Sequence, residues 1–272
     1  MHPEQRSLHS LEKIVACAAL IAVLALTIGF AQAGDPKKPP RHADELFLRS
    51  AVALVQDASS GETLLAKNQE VVLPIASITK LMTAIVVLEA KLDLSQRVVI
   101  SDEDYDTVKG TRSRLRAGTV LTRDELLLLA LMSSENRAAA SLARTYPGGT
   151  EAFVAAMNAK ASALGMNDTR FVYPTGLNSA NVSSARDLAR LVAAAHEFQL
   201  IRQYSTRESA TVNALGRPLD FRNTNRLVRN SQWEIGLSKT GYINEAGRCL
   251  VMRVKMASRE VIVVLLDSWG KL

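Results

Sequence analysis

Cysteine and histidine are scarce in this 272-residue chain, which contains two cysteines and four histidines. Cys17 lies in an N-terminal segment that we expect to be removed, so Cys249 has no partner in the mature chain and an intramolecular disulfide is excluded. Cys249 lies in an apolar run, which predicts a buried, unreactive strand residue. The histidines and Cys249 match no recognised zinc-ligand spacing, so the sequence predicts no metal site and no cofactor.

Runs of basic residues with interleaved aromatics are also lacking. The formal net charge is +6 and aromatic residues make up 5% of the chain, but the lysines and arginines are scattered. A nucleic-acid interface needs a concentrated basic surface, so nucleic acid is not a predicted partner. The positive charge is compatible with loose association with a membrane or with an anionic cell envelope.

An apolar segment without charged residues occupies positions 14–30, after a polar leader. Positions 31–33 read Ala-Gln-Ala, the small-x-small pattern that signal peptidases accept. We therefore predict a cleaved secretory signal peptide at 1–33, followed by a stiff, proline-rich linker at 34–43. The alternative, an uncleaved membrane anchor, is disfavoured because the apolar segment is short for a membrane span.

Strand patterns lie near both ends of the remaining sequence, and helical patterns lie between them. This order predicts an α+β domain at 44–272, with an antiparallel sheet built from both ends and an inserted all-helical lobe. The α/β lobe would comprise about 44–100 and 205–272, and the helical lobe about 101–204, with a ligand cleft between them. The predicted strands are 46–56, 62–67, 233–239, 249–256 and 261–266, and the predicted helices are 77–90, 124–132, 137–145, 150–165 and 185–196.

Ser77-Ile78-Thr79-Lys80 stands at the start of the first predicted helix, whose apolar residues surround most of the axis. Residues three apart on a helix share a face, so the Lys80 amine can reach the Ser77 hydroxyl. Burial and a second nearby cation would lower the pKa of Lys80 and allow it to act as a base. The pattern is weak by itself, because Ser-x-x-Lys occurs by chance in many proteins.

Two further polar motifs follow along the chain. Ser134-Glu135-Asn136 interrupts a helical pattern, which predicts a turn that directs Ser134 and Asn136 into the cleft. Lys239-Thr240-Gly241 ends a predicted strand, where the glycine would let a substrate backbone approach closely. Each motif is weak alone, but their order, separation and structural contexts together fit one architecture.

With these three motifs the sequence resembles the penicillin-recognising serine enzymes, which share a DD-peptidase/β-lactamase-like fold. The stretches at 74–84, 131–139 and 174–177 are similar to the low-molecular-mass penicillin-binding proteins. Among these, the sequence is most similar to the D-alanyl-D-alanine endopeptidases of the penicillin-binding protein 7 type. The resemblance covers the chain from Leu46 to its C-terminus.

The resemblance implies a periplasmic serine peptidase that cleaves D-Ala-containing bonds of peptidoglycan peptides and is acylated by β-lactam antibiotics. Ser77 would be the nucleophile, Lys80 its base, and Ser134 a proton relay to the leaving amine. The backbone N–H groups of Ser77 and Tyr242 would form the oxyanion hole. The substrate-binding residues would be Asn136, Lys239, Thr240 and Gly241, with Lys239 also keeping the local field positive.

Three other activities remain open on the same fold. One is a D-Ala-D-Ala carboxypeptidase, because the resemblance alone favours the endopeptidase. Another is a serine β-lactamase, which is disfavoured because 171–184 holds no carboxylate that could activate the deacylating water. The third is a non-catalytic penicillin sensor, which would not need all three polar motifs.

The end of the sequence departs from the family. Its members close the sheet with a C-terminal helix, whereas this chain ends at Leu272, directly after a predicted strand. We therefore expect either that the natural product continues past Leu272 or that this form is less stable than its relatives.

Overall fold

The computed structural model describes residues 48–269. The predicted signal peptide, the linker and the expected continuation past Leu272 concern residues outside this range. In chain order the elements are β1 (Ser50–Asp57), β2 (Thr63–Lys67), β3 (Leu73–Pro74), α1 (Lys80–Glu89), β4 (Arg97–Val99), β5 (Val120–Thr122), α2 (Arg123–Met132), α3 (Asn136–Arg144), α4 (Gly149–Ala163), β6 (Val182–Ser183), α5 (Ala185–His196), α6 (Gln199–Thr206), β7 (Ser209–Ala214), β8 (Arg217–Arg222), β9 (Glu234–Ile243), β10 (Gly247–Met256) and β11 (Arg259–Ser268). Short 3-10 turns occupy Ala76–Thr79, Asp102–Asp104 and Arg226–Arg229.

A five-stranded antiparallel sheet, in the order β2-β1-β11-β10-β9, is built from both ends of the described chain. Its first and last strands are neighbours, since Ser50 of β1 is paired with Ser268 of β11 and their hydroxyl oxygens lie 2.6 Å apart. The helices are inserted between β2 and β9 in the sequence. The predicted α+β fold, an antiparallel sheet with an inserted helical region, is confirmed; the exact boundaries of the two lobes stay a prediction.

Helix α1 is the central helix of the domain. Its residues Lys80 to Val87 are all buried, as the apolar pattern around its axis predicts. Helix α5 packs on the sheet against β1, β10 and β11 and buries Leu188, Leu191 and Val192. Each such apolar side chain contributes roughly 1.5–3 kcal/mol relative to exposure, so this interface fixes the sheet beneath the helices.

Both faces of β11 are apolar and buried. Ile262 and Val264 belong to the main core, and Val261 and Val263 belong to a second cluster on the opposite face. The apolar run in the sequence predicts burial on both faces, since a strand exposed on one face alternates apolar with polar residues.

Within residues 48–269, no helix is both long and apolar enough to cross a membrane.

Two helix starts follow their sequence signals closely. The Thr122 side chain accepts a hydrogen bond from the Glu125 backbone N–H, and the Glu125 carboxylate accepts one from the Thr122 N–H, which together form a capping box at the start of α2. The Ser184 side chain caps α5 by accepting from the Asp187 N–H, and that helix ends at His196 as predicted.

Other elements depart from the sequence prediction. The helix predicted from Ser77 begins as a 3-10 turn, and its α-helical part starts at Lys80. The Lys239-Thr240-Gly241 motif does not end a strand, because β9 continues through it to Ile243. Helix α6 and the β7–β8 hairpin were not predicted. The hairpin buries only small side chains on β7 and turns through Leu215 at φ 53°, a conformation that leucine rarely adopts.

Candidate active site

Ser77 and Lys80 meet at the base of the central helix. The 3-10 turn that holds Ser77 begins at Ala76, whose φ is 46°, so the chain bends sharply before the helix begins. In a 3-10 turn residues three apart are nearly eclipsed, which places Lys80 directly over Ser77. The Lys80 Nζ lies 2.8 Å from the Ser77 Oγ. The predicted pair is therefore in contact, with Lys80 completely buried and Ser77 9% exposed.

Three oxygen atoms surround the buried Lys80 amine. Besides Ser77, Nζ lies 2.7 Å from the Asn136 Oδ1 and 2.7 Å from the Thr175 carbonyl oxygen, and both of these groups only accept hydrogen bonds. A neutral amine has two N–H donors for these acceptors and one lone pair for the Ser77 hydroxyl proton. Burial lowers the pKa of Lys80 to about 7, although the Glu135 carboxylate opposes the shift by raising it.

Ser134 and Lys239 form a second pair in the same site. Ser134 occupies the turn between α2 and α3 with φ 59°, and its Oγ lies 2.9 Å from the Lys239 Nζ. The amine also donates to the Thr240 carbonyl oxygen at 2.8 Å. Burial lowers the pKa of Lys239 well below its usual value, and the Lys80 charge lowers it further. The sequence predicted that burial and the Lys239 charge would both lower the pKa of Lys80. Burial is the largest cause of the lowered pKa at both amines, and the effect of one lysine charge on the other falls on Lys239.

Asn136 connects the site to the loop that precedes β5. It is the first residue of α3, its Oδ1 accepts from Lys80, and its Nδ2 donates to the Thr111 Oγ1 at 3.1 Å. Glu135 precedes it and caps the helix by accepting from the Arg137 N–H. The interruption in the helical pattern therefore brings Ser134 and Asn136 to the same site, as the sequence predicted.

Gly241 allows the edge strand β9 to lie against the 3-10 turn that holds Ser77. A Cβ at this position would be 3.0 Å from the Ser77 backbone nitrogen and 3.1 Å from the Ala76 Cβ, closer than side chains normally approach. The close approach at this glycine is to the protein's own backbone, whereas the sequence predicted the approach of a substrate backbone. Thr240 points its hydroxyl to the Thr224 Oγ1 at 2.6 Å.

Sequence reasoning assigned no role to the loop that supplies the Thr175 carbonyl. Asn181 is fully buried and organises this loop, because its Oδ1 accepts from the Val172 and Tyr173 N–H groups and its Nδ2 donates to the Tyr173 carbonyl. Gly176 has φ 81° and packs on the carbonyl of the residue before Ser77, where an added Cβ would lie 1.9 Å from the oxygen. The Pro174-Thr175-Gly176 sequence was the available signal.

Several known proteins resemble this chain in sequence or in fold over most of its length. A solved structure of the Streptomyces K15 DD-transpeptidase superimposes with a TM-score of 0.77 at 28% identity, covering 82% of this chain and 92% of that one. A D-alanyl-D-alanine endopeptidase of Pseudomonas aeruginosa is 50% identical over 92% of this chain and 82% of its own length. A D-alanyl-D-alanine endopeptidase of Escherichia coli is 48% identical over 84% of this chain and 74% of its own length.

The fold is that of the DD-peptidases, a class of serine enzymes with the penicillin-binding fold. The family model described as D-alanyl-D-alanine carboxypeptidase, peptidase family S11, matches residues 39–269, and the chain belongs to this family. The predicted relationship to the D-alanyl-D-alanine endopeptidases is confirmed by the two relatives of about half-identical sequence.

Proposed function

We propose that this chain is an exported serine D-alanyl-D-alanine endopeptidase that cleaves peptide cross-links of peptidoglycan through an acyl-enzyme on Ser77. The observation that carries the proposal is the contact of the buried Lys80 amine with the Ser77 hydroxyl, at 2.8 Å, beside two groups that only accept hydrogen bonds. Burial of this amine lowers the pKa of Lys80 to about 7 and so favours the neutral lysine that serine activation requires.

In the first half of the reaction, the Ser77 oxygen attacks the carbonyl carbon of a D-Ala residue while Lys80 accepts the hydroxyl proton. The proton then passes to the leaving amine through the Ser134 hydroxyl, which Lys239 orients at 2.9 Å. The C–N bond breaks, the free amine leaves and the acyl group stays on Ser77. Water then attacks the ester, its proton returns by the same groups, and the D-Ala carboxylate is released.

The negative oxygen of the tetrahedral intermediate needs donors, and we assign the backbone N–H groups of Ser77 and Tyr242 to this role. The close packing of Gly241 on the Ser77 nitrogen supports the assignment, since it places the two backbone segments side by side. Each such donor lowers the barrier by roughly 3 kcal/mol. Asn136 and Thr240 would hold the peptide, with Lys239 and Gly241 completing the binding surface along β9.

The site of action follows from the same proposal. Peptidoglycan lies outside the cytoplasmic membrane, so the predicted signal peptide at 1–33 would deliver the chain to the periplasm. Penicillins would acylate Ser77 and leave slowly. The net charge of +6 would favour loose association with the anionic envelope.

The decisive experiment compares cross-linked and monomeric muropeptides, with products identified by mass. We expect the mature chain to split the cross-linked dimers into monomers, and Ser77→Ala to be inactive while keeping its melting temperature. Release of terminal D-Ala from monomers without dimer cleavage would replace the proposal with a carboxypeptidase. Rapid penicillin hydrolysis would indicate a β-lactamase, and penicillin binding without any peptide cleavage would indicate a sensor.

A further inference from the structure

A groove lined by three arginines adjoins the proposed active site. It encloses about 450 Å³. It lies between the loop that precedes β5, the turn after α2 and the end of β8. The lining residues are Arg112, Ser113, Arg114, Ser133, Glu135, Phe221 and Arg222. None of these residues is among those that the sequence predicted for the site.

Two connections join the groove to the catalytic groups. Ser133 and Glu135 line it and flank Ser134, and adjacent Cα atoms are about 3.8 Å apart. On the other wall, Arg112 follows Thr111, whose Oγ1 accepts from the Asn136 Nδ2. A peptide held by Ser134 and Asn136 therefore has the groove as its immediate continuation.

The guanidinium groups of the groove are available to a ligand. Within residues 48–269, neither Arg112 nor Arg222 forms a salt bridge or a side-chain hydrogen bond, and both are exposed. Glu135 is the one carboxylate on the lining, against three arginines, so the groove has an excess positive charge. A concave surface with an excess of positive charge attracts anions.

Arg114 is held in place before any ligand arrives. Its guanidinium lies over the buried Phe221 ring, 4.2 Å from the centroid, and one of its nitrogens donates to the Asp220 carbonyl oxygen. A cation–π contact and a backbone hydrogen bond reduce the entropy that binding would otherwise cost. The planar guanidinium retains further N–H donors, whose geometry matches a carboxylate.

We propose that this groove binds a carboxylate of an acidic peptide, on the part of the substrate next to the cleaved bond. The inference rests on the proposed peptidase function and specifies it: the preferred substrates carry a free carboxylate at this position. Substrates in which that carboxylate is converted to an uncharged carboxamide would lose the charge-assisted contacts and bind less tightly.

The test uses matched cross-linked muropeptides that differ only in having free carboxylates or carboxamides, and compares kcat/KM for the two. The wild-type chain should prefer the free acid by tenfold or more. In the double variant Arg112→Gln/Arg222→Gln, this preference should fall to about one, mainly through a higher KM. Arg222→Gln alone should give an intermediate preference, which covers the case in which the double variant fails to fold.

Arg217→Gln is the matched control, because it removes the same charge at the other end of β8, about 17 Å away, from an exposed residue that is not in the groove. It should keep the wild-type preference. Equal cleavage of both substrates by the wild type, or an unchanged preference in the Arg222→Gln variant, would overturn the groove assignment while leaving the peptidase proposal intact. Failure to cleave either substrate despite penicillin acylation would instead overturn the proposed function.

Discussion

The pH dependence of Ser77 acylation tests the proposed role of Lys80 directly. With a pKa of about 7, half of the Lys80 amines are neutral at pH 7, about nine tenths at pH 8 and about one tenth at pH 6. If the neutral amine is the base, the acylation rate should fall about tenfold between pH 8 and pH 6 and reach a plateau above pH 8. A lysine with its usual pKa would give a rate that keeps rising about tenfold per pH unit across this range.

Glu135→Gln perturbs this profile in a known direction. The Glu135 carboxylate raises the pKa of Lys80, so its removal should lower that pKa and move the midpoint of the profile to lower pH. The variant should therefore acylate faster than the wild type at pH 6, relative to each protein's own rate at pH 8. Glu151→Gln is a suitable control, because it removes an exposed carboxylate from the first turn of α4.

The assay is the second-order rate of labelling by a fluorescent penicillin, measured from pH 5.5 to pH 9, with the melting temperature recorded for each variant. Glu135 also caps α3, so the melting temperature separates a loss of stability from a change in the pKa. A rate that rises without a plateau, or a midpoint that moves to higher pH in Glu135→Gln, would refute the assignment of neutral Lys80 as the base.

Three further predictions concern residues that pack around the site. Gly176→Ala should lower the melting temperature by about 4–8 °C. An added Cβ would lie 1.9 Å from the Ala76 oxygen at a positive φ, which costs roughly 2 kcal/mol of stability. An unchanged melting temperature would contradict this prediction. Gly241→Ala should slow penicillin acylation at least tenfold with little change in melting temperature, because β9 must move away from Ser77; a normal rate would show that the strand does not need this approach. Burial raises the pKa of the Cys249 thiol to about 11, so a thiol reagent should modify it only in denaturant, and rapid labelling of the native chain would be inconsistent with the packing.

Much of the fold could be predicted because its strongest signals are local. The capping box at Thr122 and the cap at Ser184 mark helix starts through side-chain bonds to neighbouring backbone groups. The apolar runs of β10 and β11 predict strands buried on both faces. The β7–β8 hairpin lacked such a signal, because the buried residues of β7 are small and the turn includes Leu215, which sequence rules do not place at a positive φ.

In the candidate site too, some contacts could be predicted from the sequence and others could not. The Ser77–Lys80 contact follows from a three-residue spacing and could be predicted from the sequence alone. The Thr175 contact could not, because it is made by a backbone carbonyl, which every residue possesses, across 95 positions of the chain. The arginines of the groove are similarly scattered along the sequence, and only the fold brings Arg222 beside Arg112.

The pairing of β1 with β11 has a consequence for the order of folding. Ser50 and Ser268 are separated by 218 positions, so this pairing is among the most non-local contacts in the chain and forms slowly. Strand β9, which holds Gly241 against the 3-10 turn that holds Ser77, is attached to the sheet through β10, and β10 through β11. Ser77 therefore gains its complete surroundings only after the last strand has docked. We therefore expect a chain that still lacks its C-terminal strands to lack the Ser134–Lys239 contact and to leave Ser77 unreactive.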